Sequence, residues 1–429
     1  MRGFTRHARR CALAVFVAAA ALSCAQSGPA TRQAPIVERT PPPTRVARAP
    51  APQPQPPAAT SAEAPPRAPP DPVPAVTAPL AEPADVEASA PAAGPGAMPA
   101  PRAGRPPPAP TDLIALILPL DTPTYGRAAD AVRAGFLAAA EAANAKDRCI
   151  VIGHKEDGVL AAFDEAKRRG VRVIVGPLLR DDLRTLAIAD AEIPWTIALN
   201  QLDDPTTLPP AAYTFALAVE ADGRAIARRA QFDGVRSIDV IAGDPPIVKR
   251  LAGAFATAWV AGGGAAPGAY HFDAGPDALT GLRRNLAKAV PDAVVLAVDG
   301  NQAALLKSFV GAVPAYASGL VFERPADAVV RDLNDLRIVE VPWLVTPDAP
   351  ELAPFPRRDF GSASLERLYA LGIDAFRVAQ AFGDEPPERF ELEGATGFVR
   401  LEPGRQFVRE GRIATYRDGK LVPLEPTPR

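Results

Sequence analysis

Histidine and cysteine are scarce in this 429-residue chain, with three of each. Beyond the N-terminal region only His154 and His271 remain. A zinc site built on two histidines would need carboxylates brought in from elsewhere. No Gly-x-Ser-x-Gly elbow, no phosphate loop ending Gly-Lys-Ser/Thr and no His-Glu-x-x-His occurs, so the hydrolase, nucleotide-binding and metalloprotease signatures are absent. Charge of one sign is not in excess either. The 47 basic and 49 acidic side chains give a net charge of −2, which supplies no global attraction to nucleic acid. No Phe, Trp or Tyr lies between Ala25 and Pro110, although that stretch holds 26 of the 51 prolines. Without large apolar side chains such a segment cannot offset its ordering entropy. It is expected to be a disordered Pro/Ala-rich linker over residues 24–110. Its reach lies between about 50 Å as a coil and roughly 270 Å in polyproline II form. Two readings fit: a stalk whose length matters, and a passive spacer.

What is present begins at the N-terminus. Arg2, Arg6, Arg9 and Arg10 precede the apolar run Cys11–Leu22, which is shorter than the about 20 residues that span a bilayer. A basic start, a short apolar stretch and a small residue before the cut describe an export signal over residues 1–23. Ala21-Leu-Ser-Cys24 resembles the lipobox of bacterial lipoproteins, with Ala21 where Leu is usual. The resemblance implies lipidation of Cys24, and Ala25 in place of Asp favours the outer membrane. The alternative is an ordinary signal peptide with an incidental cysteine. Once Cys11 leaves and Cys24 carries lipid, Cys149 has no partner for an intrachain disulfide. Within Arg148-Cys-Ile-Val-Ile152 it reads as a buried structural thiol.

From Thr111 onward the pattern alternates. Leu113–Leu118, Cys149–Ile152, Val171–Val175, Trp195–Leu199, Ser237–Ile241, Tyr270–Phe272, Ala293–Val298 and Ala315–Ala317 are short apolar strands. Helical spacing covers Tyr125–Ala145, Ala161–Arg169, Asp181–Ala191, Val219–Phe232, Ile247–Ala261, Ala278–Ala289, Gln302–Val310 and Ser364–Phe382. The expected fold is α/β, with two Rossmann-like lobes built on parallel sheets. Antiparallel strands follow at Phe398–Leu401, Gln406–Val408 and Arg412–Tyr416, with Asp418-Gly419 as a hairpin turn.

Several of these segments share a further likeness. Ile114-Ala-Leu-Ile-Leu-Pro-Leu120, Val132-Arg-Ala-Gly-Phe136 and Val175-Gly-Pro-Leu178 are similar to the opening of type I periplasmic-binding-protein folds. Together with Ile193–Asn200, Val298–Ala303, Val341-Pro-Trp-Leu344, Leu368–Arg377 and Gly394-Ala-Thr-Gly397, they resemble the LppC/LpoA family of penicillin-binding protein activator lipoproteins. The resemblance implies lobe 1 over about 111–215 and 319–405, and lobe 2 over about 216–318 and 406–429. It implies a bifunctional penicillin-binding protein as partner, a role in peptidoglycan synthesis and cell wall biogenesis, and no enzymatic activity, cofactor or metal. The family's enterobacterial activator carries an N-terminal helical repeat domain whose place the Pro-rich linker takes here.

Ligands of doubly wound sheets bind beyond the carboxyl ends of the strands. The positions expected to face such a cleft are Asp121, Thr122, His154, Gly176, Leu178, Leu179, Asn200, Asp244, Asp299 and Trp343. Structural roles compete at each: glycine for turns, Asp121 and Asp299 for helix caps, Trp343 for the core. Amino-acid receptors of this fold place Ser or Thr after the Gly-Pro corner. Leu178-Leu179 cannot donate the hydrogen bonds an amino-acid headgroup needs. A membrane-tethered solute-binding protein for another small ligand is the alternative function.

Overall fold

The computed structural model describes residues 113–189, 192–204, 207–322 and 332–427. The export signal, Cys24 and the linker lie outside the described residues. The first half runs β1 (Ile114–Leu118), α1 (Gly126–Ala142), β2 (Cys149–Gly153), α2 (Val159–Arg168), β3 (Val173–Val175), α3 (Arg180–Ala189), β4 (Trp195–Ala198) and β5 (Ala212–Phe215). The second half continues through α4 (Val219–Phe232), β6 (Ile238–Ala242), α5 (Pro246–Ala261), β7 (Gly268–His271), α6 (Pro276–Lys288), β8 (Ala293–Ala297), α7 (Gly300–Val310), β9 (Ala315–Ser318) and β10 (Arg337–Glu340). A helical turn at Pro342–Val345 leads to α8 (Ala363–Gln380). Strands β11 (Glu391–Glu393), β12 (Phe398–Glu402), β13 (Gln406–Glu410), β14 (Arg412–Arg417) and β15 (Lys420–Pro423) complete the chain.

The strands form two sheets, ordered β11-β12-β13-β5-β4-β3-β1-β2 and β15-β14-β10-β9-β8-β6-β7. In each, five consecutive parallel strands make the doubly wound centre, and C-terminal strands extend one edge. This is the α/β architecture the alternation predicts. Strands β1, β3 and β8 are buried at every residue, because helices cover both faces of a parallel sheet. One core joins the first sheet to α1 and α8, and α2 fills the opposite face. The second sheet packs on α4 and α5 on one side and on α6 and α7 on the other.

The chain changes lobes at different points from those expected. β10, assigned by the sequence to lobe 1, pairs in parallel with β9 in the second sheet, Arg337 beside Tyr316. β13, assigned to lobe 2, pairs in parallel with β5 in the first sheet, Gln406 beside Thr214. The crossings therefore fall at 216–218, just after Glu340, and at Gly411. A Cβ on Gly411 would lie 2.8 Å from the Glu340 carbonyl oxygen, so glycine lets the second and third crossings run side by side. The hairpin forms as expected: Asp418 and Gly419 both take positive φ, and Arg417 pairs with Lys420.

Helices α1 and α8 touch backbone to backbone. A Cβ at Gly135 would collide with the Tyr369 carbonyl, and one at Gly372 with that of Val132. The Phe136 and Phe376 rings meet edge to face, with centroids 5.2 Å apart. Cys149 lies half-buried on the edge strand β2 and its thiol donates to the Ala145 carbonyl (3.4 Å). Burial pushes that thiol up to about 11, so it stays protonated and unreactive at neutral pH.

Candidate functional site

Loops after β1 and β2 are tied by backbone bonds, Asp121 N–H to the His154 carbonyl (3.3 Å) and His154 N–H to that of Leu118 (3.1 Å). The Thr122 hydroxyl is buried and donates to the Pro119 carbonyl (2.7 Å), so it holds its own loop. His154 is 5% exposed. Its Nδ1 bonds the Lys155 carbonyl (2.9 Å), and its Nε2 stands 3.6 Å from Asp182 Oδ2 at the start of α3. Beyond that ion-pair contact, neither His154 Nε2 nor Asp182 Oδ2 has a hydrogen-bond partner among the described residues. Burial raises the Asp182 carboxyl above the ordinary carboxylate range, and facing His154 opposes that rise.

A second group gathers at the ends of β3 and β4. Gly176 has φ +117, and a Cβ there would collide with the Ile117 carbonyl. Leu178 is buried in the core and Leu179 is half-buried. Asn200 Nδ2 donates to the Leu178 carbonyl (3.0 Å), and its Oδ1 accepts from Gln201 N–H (2.9 Å). The amide that could greet a ligand is thus spent on pinning two loops.

In lobe 2, Asp244 is exposed and faces Lys249 (3.5 Å) and His271 (3.7 Å). Asp299 caps α7 through a reciprocal box with Gln302. Trp343 corrects the expectation of a cleft position. It is 1% exposed within the lobe 1 core, against Tyr369, with the Arg357 guanidinium 3.6 Å from its ring centroid. The reason is tertiary: the Trp343 backbone N–H bonds the distant Ala395 carbonyl (3.0 Å), which holds the helical turn against the lobe 1 core.

Residues that the sequence reading missed bridge the lobes. Arg409 on β13 donates from Nη2 to Asp222 on α4 (2.9 Å), and both are more than nine-tenths buried. Arg367 on α8 grips Glu340 through Nε (3.0 and 3.1 Å) and Nη2 (2.7 Å), and reaches the Gly319 and Phe322 carbonyls (2.6 and 2.9 Å). Arg228 on α4 meets Glu410 on β13 (2.8 Å). Burial raises the Asp222 carboxyl despite Arg409. Such pairs fix geometry more than they add net stability. One signal was available: Asp222 occupies an apolar helical position between Val219 and Ile226. Among the described residues no group of three or more His, Cys, Asp or Glu is placed to hold a metal ion. No described helix is long and apolar enough to cross a membrane.

Two parallel-centred lobes joined by three crossing segments define a type I periplasmic-binding-protein-like domain. The profile of the family described as "LppC putative lipoprotein" matches residues 109–419, and the chain belongs to that family. It is 23% identical over 270 residues to the penicillin-binding protein activator LpoA of Haemophilus influenzae, covering 61% of this chain and 46% of that protein. To the LpoA of Edwardsiella piscicida it is 27% identical over 309 residues, covering 62% and 44%. The chain thus spans about half the length of the curated relatives it matches. The solved C-domain of H. influenzae LpoA, described as a regulator of PBP1A, superposes with TM-score 0.63 at 21% identity, over 73% of this chain and all of that one. A Chromobacterium violaceum protein solved as "a putative branched-chain amino acid ABC transporter" superposes with TM-score 0.62 at 31% identity, over 71% and 99%.

Proposed function

We propose that this chain is a lipoprotein, anchored in the outer membrane through Cys24 and facing the periplasm, that binds and stimulates a bifunctional penicillin-binding protein and so regulates peptidoglycan synthesis. Membership of the LppC family, with several relatives named as LpoA activators, is the observation that carries it. The site geometry supports a regulator over a catalyst. At the strand ends Thr122, Asn200 and Asp299 spend their side chains on loops and caps. The linker over residues 24–110 carries the domain from the membrane toward the synthase. Stimulation then requires tighter binding to the synthase's active state than to its inactive one. The test adds the full chain in detergent to bifunctional penicillin-binding proteins of the same organism and follows glycan polymerisation and cross-linking from lipid-linked precursor. Saturable stimulation of one synthase is expected. Neither binding nor stimulation with any of them overturns the proposal.

The likeness to the C. violaceum protein favours a second reading, a membrane-tethered solute-binding protein. It gains if the synthase assay is silent and a small ligand binds with closure of the lobes.

A further inference from the structure

The lobe junction holds cationic groups that its own carboxylates do not use. A cavity of about 200 Å³ beside the first crossing has Gln201, Thr214, Glu220, Arg224, Gln406 and Arg409 in its wall. Its acids are committed. Asp203 accepts from Arg180 (2.8 Å). Glu220 faces Arg250 (3.6 Å) and accepts from Gln201 Nε2 (3.5 Å). Its cations are not fully so. Arg224, half-buried on α4, has no hydrogen bond or ion pair among the described residues. Arg409 is 6% exposed and spends Nη2 on Asp222, while Nε and Nη1 have no partner there. A buried donor without an acceptor is costly and calls for an explanation. The Thr214 hydroxyl and the Gln406 amide, neighbours across the β5–β13 pairing, also make no side-chain hydrogen bond among the described residues. The wall therefore offers donors in excess of acceptors.

We propose that this cavity binds a small monocarboxylate, with the Arg224 guanidinium as its counter-ion and Thr214 and Gln406 as neutral donors. A guanidinium matches the planar carboxylate with two parallel N–H···O bonds. Arg409 closes the back of the cavity and adds its positive charge to that of Arg224. The charge balance selects against other ligands. One unpaired guanidinium suits one negative charge, and nearby Glu220, Asp203 and Asp222 repel a dianion. An amine finds both wall carboxylates already engaged. The cavity of about 200 Å³ restricts the ligand to a small molecule, for which butyrate is the probe.

This site does not depend on the activator reading, and its test uses no synthase. Titration calorimetry of the full chain in detergent, at fixed ionic strength, compares sodium butyrate, inorganic phosphate and n-butylamine. Butyrate is expected to bind saturably and more tightly than either. Arg224→Gln is expected to weaken butyrate about tenfold or more. Its ligand-free melting temperature should hold, since Arg224 has no partner to lose. Arg224→Lys should retain part of the affinity, and Thr214→Val should weaken it a few-fold. Absence of saturable butyrate binding, unchanged affinity in Arg224→Gln, or phosphate binding as tightly as butyrate overturns the proposal.

Discussion

The knot around α8 and the junction between the lobes are both buried and polar, yet they are built in opposite ways. In the knot, Asp374 is fully buried and accepts from Ala395 N–H (2.9 Å), Thr396 N–H (2.7 Å) and the Thr396 hydroxyl (2.7 Å). Trp343 N–H closes the same turn, and Gly135 and Gly372 bring α1 against α8. Three segments that resemble the LppC/LpoA family, Val341–Leu344, Leu368–Arg377 and Gly394–Gly397, meet there. The junction is assembled from charges outside those segments and leaves two nitrogens of Arg409 without partners among the described residues. The family-like motifs tie lobe 1 together around an Asp374 carboxylate whose oxygens are both engaged, while at the junction the guanidinium of Arg409 keeps two nitrogens that a ligand or a lobe movement can use.

The comparison breaks most sharply at Asp374. Asp374→Ala leaves three buried donors without an acceptor and is expected to destabilise by about 3–5 kcal/mol, the scale of breaking a buried charged network. Urea unfolding followed through Trp195 and Trp343 in lobe 1 and Trp259 in lobe 2 reads it, and the lobe 1 signal should move first. At the junction, Arg409→Met strands the Asp222 carboxyl and should also cost about 3 kcal/mol or more, whereas the Arg409→Met/Asp222→Leu double variant should lie close to wild type. Equal losses in the single and double variants would mean that the pair's charges are not the issue. Gly372→Ala comes next. Its Cβ meets the Val132 carbonyl, and forcing α1 and α8 apart should cost about 1–3 kcal/mol, without changing the melting of lobe 2.

Much of this was legible along the chain, where local pattern and tertiary outcome agree. The apolar runs of β1 and β8 and the spacing of α4 over Val219–Phe232 needed no outside partner to be recognised. β10 was missed because only Ile338 and Val339 are apolar between Arg337 and Glu340. Those charges are absorbed by distant groups, Asp233 accepting from Arg337 Nη1 (2.7 Å) and Arg367 gripping Glu340. β13 was recognised as a strand, but its parallel pairing with β5, almost 200 residues earlier, leaves no local mark of the lobe it joins. In the candidate site, the strand-end positions were placed by topology, but their side-chain roles were not. Nothing local says that the Asn200 amide will hold Leu178 or that Trp343 will turn inward. The junction was the least legible, since Asp222 and Arg409 lie 187 residues apart and no short motif encodes the pair.

The His154–Asp182 contact tests the remaining contrast, a buried polar pair in the lobe 1 loops that, unlike Asp374, is left with open valences. The Asp182 carboxyl is raised in the folded state, chiefly by burial. The folded protein then holds its proton more tightly than the unfolded chain between the ordinary carboxylate value near 4 and the raised one. Stability from this group is complete below about pH 4 and is lost as pH rises through the raised value. Asp182→Asn keeps the shape and removes the titration, so it should flatten this part of the decline in melting temperature measured from pH 4 to pH 7. The effect is the smallest of the set because the imidazole of His154 opposes the shift. A variant whose pH profile runs parallel to wild type would show that the Asp182 proton does not contribute to stability over this range.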